Sequence, residues 1–320
     1  MKPASNGYAH GKLMLTGEYL VMHGALSLSV PLNKGQSLTA SISSNGMLEW
    51  QASDVNGVWF NGVFSLPDLL PIIATDESAG EHLHKLFLAI RELDPQFIAE
   101  SQGLVLNTNL EFNRKWGLGS SSSLIALLAE FAGVDALKLH QMVSNGSGYD
   151  VVCAISEKPV LFQRSGERIL AEKIDFHPQF ADDLFFVYLE NKQDSAAEIS
   201  SFLKKNPNDF ISAVAEISEI TRKILKAESI EDFNHLLSAH EFIMSKVLNR
   251  KVVKDVLFSD FQGAVKSLGA WGGDFVLAST SNGKDYASRY FSQRAYSTIF
   301  SYNELVLSEH SRQLKELPLL

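Results

Sequence analysis

Cysteine is almost missing from this sequence. Cys153 is the only one in 320 residues, which excludes an intramolecular disulfide framework and any multi-cysteine zinc site. That usage fits a reducing compartment. Long apolar runs are missing too. Nothing approaches the roughly 18 residues of a membrane span, and Met1 to Gly7 is polar, without the apolar core of a signal peptide. A cytoplasmic location without membrane contact is the expectation. Positive charge is scarce: 28 Lys+Arg stand against 37 Asp+Glu, a net charge of −9. Wrapping of nucleic acid is therefore not expected. Any positive field for an anionic ligand must come from a few placed residues. No internal repeat is visible, and no biased linker marks a domain boundary.

What is present is an ordinary globular composition, 45% apolar and 20% charged with 21 Gly and 9 Pro. The length suits about two domains. Ser37–Ile42, Met47–Ala52 and Val58–Leu66 read as strands, separated by Asn45-Gly46 and Asn56-Gly57, both hairpin signals. Leu83, Leu86, Phe87, Ile90 and Leu93 fall on one helical face, as do Leu124, Leu127, Leu128 and Phe131. Gly103–Phe112 reads as a strand between them. In the second half, Leu184–Leu189 has the aromatic, apolar look of a buried strand. Long helices are expected over Asp209–Ala227 and Ile230–Leu248, strands over Phe275–Ser279 and Ser297–Tyr302, and a last helix over Glu304–Leu317. The pattern is α+β rather than a regular βαβα array. A boundary near residue 165, where Arg164-Ser165-Gly166-Glu167 breaks two strand-like runs, gives expected domains of 1–165 and 166–320.

The segment richest in chemistry is Trp116-Gly117-Leu118-Gly119-Ser120-Ser121-Ser122-Ser123. Its glycines let backbone approach a ligand closely. Its hydroxyls stand where an apolar-periodic helix begins, and a helix N-terminus with orphan N–H groups attracts anions. Phosphate is the natural candidate, and a serine hydroxyl could reach a Mg²⁺ bound to it. A plain Ser cap after a glycine turn is the competing reading. Gly7 to Leu13 lacks the Walker spacing, and Gly146-Ser147-Gly148-Tyr149-Asp150-Val151 lacks the third glycine of a dinucleotide fingerprint. Glu81-His82-Leu83-His84 is no metal motif and reads as a polar helix start. His240 reads as a core or capping residue, and Cys153 as a small buried hydrophobe.

Three stretches in order resemble the GHMP kinase superfamily: Gly11-Lys12-Leu13-Met14-Leu15-Thr16-Gly17-Glu18-Tyr19, then Gly117-Leu118-Gly119-Ser120-Ser121-Ser122, then Gly269-Ala270-Trp271-Gly272-Gly273-Asp274-Phe275. Gly146 to Val151 is similar to the stretch carrying the catalytic aspartate of phosphomevalonate kinases. Gly148-Tyr149-Asp150-Val151-Val152 resembles the signature of a bacterial Gly-Tyr-Asp-Ile-Ala branch. The resemblance implies a two-domain α+β fold, with an N-terminal half like ribosomal S5 domain 2 and a ferredoxin-like C-terminal half. ATP and a small-molecule acceptor would lie in the cleft between them.

By that resemblance, Gly117, Leu118, Gly119, Ser120, Ser121 and Ser122 would wrap the ATP phosphates, with Ser121 on Mg²⁺. Lys12 and Asp150 would face the acceptor's reactive oxygen. Glu18, Ser147, Gly148, Gly272 and Gly273 would border the acceptor. The implied activity is phosphorylation of a small acceptor, foremost 5-phosphomevalonate in isoprenoid precursor synthesis. Mevalonate kinase, a sugar kinase and a non-catalytic nucleotide-binding relative are the alternatives, and a homodimer is left open. A related decarboxylase fits less well with Lys12 and the Gly-Leu-Gly-Ser-Ser loop. If the acceptor is itself a phosphate, Arg114 and Lys115 are candidates for offsetting repulsion. Departures from the family pattern are Leu139, with His140 and Gln141, where mevalonate kinases place a Mg²⁺-binding glutamate, and Trp271 inside the third motif.

Overall fold

A computed structural model describes residues 4–98, 103–166, 168–190, 195–271 and 273–308. The chain divides into two compact units assembled from interleaved stretches. One comprises Met1–Gly11, Lys34–Arg114 and Leu118–Ile155; the other comprises Lys12–Asn33, Lys115–Gly117 and Ser156–Leu320. Two long strands, β1 (Ala4–Thr16) and β2 (Ser27–Ile42), each supply residues to both units.

In the first unit, the later part of β2 belongs to a sheet with β3 (Met47–Asp54), β4 (Gly57–Ser65), β5 (Pro71–Ala74) and β6 (Leu104–Leu110), in the order β5-β4-β3-β6-β2. The period-2 pattern turns Leu48, Trp50 and Ala52 of β3 inward, and Leu104 and Leu106 of β6 with them. Against this face pack α1 (Glu77–Leu93) and α2 (Ser120–Ala132). Asp76 caps α1 by accepting from the Ala79 N–H at 3.1 Å, and Leu83, Leu86, Phe87 and Ile90 fill its buried stripe. α3 (Ala136–Val143) and the short α4 (Tyr149–Ala154) complete the layer, and α2 packs against both.

One of the two hairpin signals is overturned. Asn56-Gly57 does join the antiparallel pair β3–β4. The strands on either side of Asn45-Gly46 do not pair, because β6 inserts between them, antiparallel to β2 and parallel to β3. Gly46 has the positive φ the dipeptide favours, but a turn residue sets local geometry only. The parallel β3–β6 pair has α1 in its crossover connection.

The longest stretch of the second unit, from Ser156 on, opens with the hairpin β7 (Val160–Ser165) and β8 (Arg168–Lys173), so Arg164-Ser165-Gly166 lies at the tip of one hairpin. β7 also pairs with Ser27–Ser29 of β2. Then follow β9 (Leu184–Tyr188), α5 (Ser195–Phe202), α6 (Ile211–Ile224), α7 (Ile230–Leu248), α8 (Val253–Leu257), β10 (Ala264–Leu268), β11 (Phe275–Ser279), α9 (Gly283–Ser292), β12 (Ile299–Ser301) and α10 (Tyr302–Leu305). The sheet runs β10-β11-β9-β12, all antiparallel. With α6–α7 and α9 as its two crossovers, this is the ferredoxin-like arrangement the family resemblance implied.

The long-helix expectations hold, the first with trimmed ends and the second at Ile230–Leu248 as read; Pro207–Phe210 forms a 3-10 turn ahead of α6. Of the expected helix over Glu304–Leu317, the described part is helical only as far as Leu305. A capping box between Ser301 and Glu304 starts a single turn, but Leu305, Val306 and Leu307 are buried in succession, a pattern no helical face can satisfy. Val306 instead bridges to Leu32, and the Leu307 N–H donates to the Pro31 carbonyl at 2.9 Å. Residues 309–320 lie outside the described ones. Among the described residues no helix is long and apolar enough to cross a membrane.

Candidate active site

The Gly/Ser segment builds an open helix N-terminus. Gly119 is the N-cap of α2 at φ 97, with no side chain capping the turn. Its carbonyl is occupied, accepting from Ser123 N–H and from the Ser122 hydroxyl, both at 2.9 Å. The four serines divide accordingly. Ser122 and Ser123 are buried, and Ser123 Oγ donates to Gln36 Oε1 at 2.7 Å, tying the helix to β2. Ser121 is exposed and Ser120 half-buried. The first amides of α2 and the outer hydroxyls thus suit a phosphate group.

Asp150 sits in the first turn of α4, beside α2 in the same unit. The turn before it is shaped by glycine: Gly148 has φ 91, and a Cβ there would lie 2.4 Å from Leu137 Cδ1. Ser147 is buried and accepts from the Tyr149 N–H at 3.4 Å. Asp150 Oδ1 accepts from the Val151 N–H at 3.1 Å and lies 3.8 Å from His140 Nε2. Arg114, a candidate for neutralising a second phosphate, lies with its guanidinium 4.3 Å from the centre of the Trp59 ring.

The first and third motifs come together in the second unit. β1 ends at Thr16, Gly17 takes φ 94 where a Cβ would strike Ser27, and a 3-10 turn follows at Leu20–His23. The Tyr19 hydroxyl accepts from the Trp271 N–H at 3.0 Å. Trp271 is buried, its indole N–H donating to the Lys251 carbonyl at 3.2 Å. Lys12 is half-buried and close enough for its charge to act on Glu18. Gly273 donates its N–H to the Ala270 carbonyl at 3.2 Å; Gly272 lies outside the described residues. At Gly117, φ is 70 and a Cβ would stand 2.1 Å from Asp274 Oδ2. The third motif therefore abuts the start of the glycine loop so tightly that only glycine fits.

Sequence reasoning missed a buried cluster of titratable side chains in this unit. Glu18, Lys266, His240 and Glu241 are all buried, Glu18 at 5% exposure and Lys266 at 0%. Lys266 Nζ donates to Glu18 Oε1 and, at 2.9 Å, to the Ser267 carbonyl. The Gly17 N–H donates to His240 Nε2 at 3.1 Å. Burial, then the Lys266 charge, holds that imidazole well below its ordinary pKa. It is therefore neutral, and the 3.3 Å approach of Glu18 Oε2 is not an ion pair. Burial raises the Glu18 carboxyl despite the pull of Lys266. The available signal was a lone Lys inside the apolar run Ala264–Leu268; His240 does prove to be a core residue.

Burial also pushes the Glu241 carboxyl up to about 8, against the pull of Lys266. The folded protein therefore holds a proton there that the unfolded chain gives up near its ordinary value of about 4.3. This contribution is complete below that value and lost as pH rises towards 8, at most about 1.4 kcal/mol per pH unit. Glu241→Gln should flatten the fall in urea-unfolding stability between about pH 6 and pH 8. An unchanged slope would show that Glu241 does not carry the proton.

A cleft of about 640 Å³ lined by Asp209, Phe210, Ala213, Phe242, Ile243 and Lys246 holds none of the expected site residues. No group of three or more His, Cys, Asp or Glu able to hold a metal is present among the described residues.

The fold is that of the GHMP kinases. The structure of a mevalonate kinase from L. major in complex with R-mevalonate superposes with TM-score 0.67 at 14% identity, over 97% of this chain and 98% of that one. Lactococcus lactis galactokinase complexed with galactose gives 0.69 at 14%, over 96% and 94%. Streptococcus pneumoniae phosphomevalonate kinase in complex with phosphomevalonate and AMPPNP gives 0.67 at 16%, over 93% and 99%. No protein-family model and no curated protein matches the sequence.

Proposed function

We propose that this protein is an ATP-dependent small-molecule kinase, with 5-phosphomevalonate as the foremost acceptor. The observation that carries the reading is the pairing, in one unit, of an uncapped glycine–serine helix N-terminus with the helix that bears Asp150. Orphan amides and the outer hydroxyls of Ser120 and Ser121 suit a nucleotide's phosphates. Ser121 is the residue to touch Mg²⁺, which would take most of its ligands from phosphate oxygens and water and lend charge to the phosphates.

Phosphoryl transfer is chiefly positioning and electrostatic stabilisation. Lys12 supplies positive charge for the transferring group. For an alcohol acceptor Asp150 takes the proton as general base. For a phosphomonoester, whose second pKa is about 6, the acceptor oxygen is already largely deprotonated near neutral pH. Asp150 then orients the acceptor, and offsetting repulsion matters more.

The test is ADP release from Mg-ATP with mevalonate, 5-phosphomevalonate and simple sugars side by side. ADP formation with 5-phosphomevalonate is expected to exceed that with the others. A preference for mevalonate or a sugar moves the substrate within the class. Nucleotide binding with no ADP formed with any of them would mean that the fold serves binding alone.

A further inference from the structure

We infer that His140 is the positioning residue for Asp150, an inference that rests on the kinase reading above. His140 lies in the last turn of α3, ten residues before Asp150, and its side chain is 4% exposed against 31% for the aspartate. Its Nε2 faces Asp150 Oδ1 at 3.8 Å. The Val151 N–H donates to the same oxygen at 3.1 Å, and the imidazole edge approaches it without hydrogen-bonding. Oδ2 accepts no hydrogen bond from the described residues and is the oxygen presented to an acceptor.

The turn between the two helices is laid on the imidazole. A Cβ on Gly146 would lie 3.3 Å from both Cε1 and Nε2, and one on Gly148 would lie 3.6 Å from Nδ1. The ring's thickness therefore sets the height at which Gly146-Ser147-Gly148 crosses it, and with it the start of α4. An apolar ring of the same size would fill this volume but offer no polar edge to Oδ1. Without that edge the carboxylate has a second low-energy orientation, and a reacting group displaced by about 1 Å can lose about 100-fold in rate.

The experiment compares His140→Phe and His140→Gln in the full chain, with folding checked by circular dichroism and nucleotide affinity by calorimetry. His140→Phe is expected to lower kcat for ADP release at least about tenfold, with acceptor KM and nucleotide affinity within about threefold. Gln, whose amide N–H can face Oδ1, is expected to recover part of that loss. Retained kcat in the Phe variant, or equal loss in both variants, overturns the inference.

A second readout needs no turnover and no folded His140 variant. In 15N-histidine-labelled protein, Asp150→Asn is expected to shift the His140 imidazole resonances and leave His240 unmoved. Unmoved His140 resonances overturn the pairing. Should no acceptor support ADP release even by the unaltered protein, the kinase reading fails while the spectra still decide whether the two side chains are coupled.

Discussion

Asp150→Asn is expected to lower acceptor-dependent ADP release at least about 100-fold, the scale of a lost, positioned acid–base or charge-stabilising group. The substitution keeps the side chain's shape and its acceptor for the Val151 N–H, but removes the negative charge and the basic oxygen. Lys12→Met should give a loss of the same scale by removing positive charge from the transferring group. Measured kcat and KM separate this from weakened binding: a pure rise in KM would assign either residue to substrate capture instead. Near-normal turnover in either variant would remove that residue from the proposed chemistry. Because the nucleotide's contacts are assigned to the Gly/Ser turn, nucleotide affinity should stay nearly unchanged in Asp150→Asn.

The second large effect is on stability. Lys266→Met is expected to destabilise the fold by about 3–5 kcal/mol, the range for stripping one partner from a buried ion pair. Glu18 and Glu241 would then share a buried region without the ammonium that now faces them. Urea unfolding monitored by tryptophan fluorescence gives the midpoint. The double variant Lys266→Met/Glu18→Gln should recover part of the loss, because the stranded carboxylate is gone. If the single variant is as stable as the parent, the cluster contributes packing and nothing electrostatic. A loss of activity alone, with an unchanged midpoint, would instead place Lys266 at the chemistry.

The parts legible in the sequence are those written in local pattern. The stripes of α1 and α2, the turn at Asn56-Gly57 and the aromatic strand β9 follow from periodicity and turn chemistry over a few residues. The three glycine stretches were read through their resemblance to a known family, and the structure supplies the physical reason for glycine at Gly17, Gly117 and Gly119, all at positive φ. What escaped depends on partners far away in sequence. β6 inserts between β2 and β3 from some sixty residues downstream, which no signal at Asn45-Gly46 encodes. Lys266 looks like a misplaced charge in a strand until Glu18, 248 positions earlier, is set beside it. His140 was noted only as standing where another residue was expected. Its contact with Asp150 needs the turn between α3 and α4 to be folded.

Interleaving has a consequence for how this chain can be cut. A fragment beginning at Ser156 lacks Lys12–Asn33, so β7 loses the edge formed by Ser27–Ser29 and Lys266 loses its carboxylate. Its ferredoxin-like sheet would remain intact in sequence yet carry a raw flank and an unneutralised cation. Such a piece calls for complementation by a peptide covering the missing stretch rather than for expression alone. Circular permutants are better opened at the tip of the β7–β8 hairpin, where a Cβ on Gly166 would meet nothing within 4 Å.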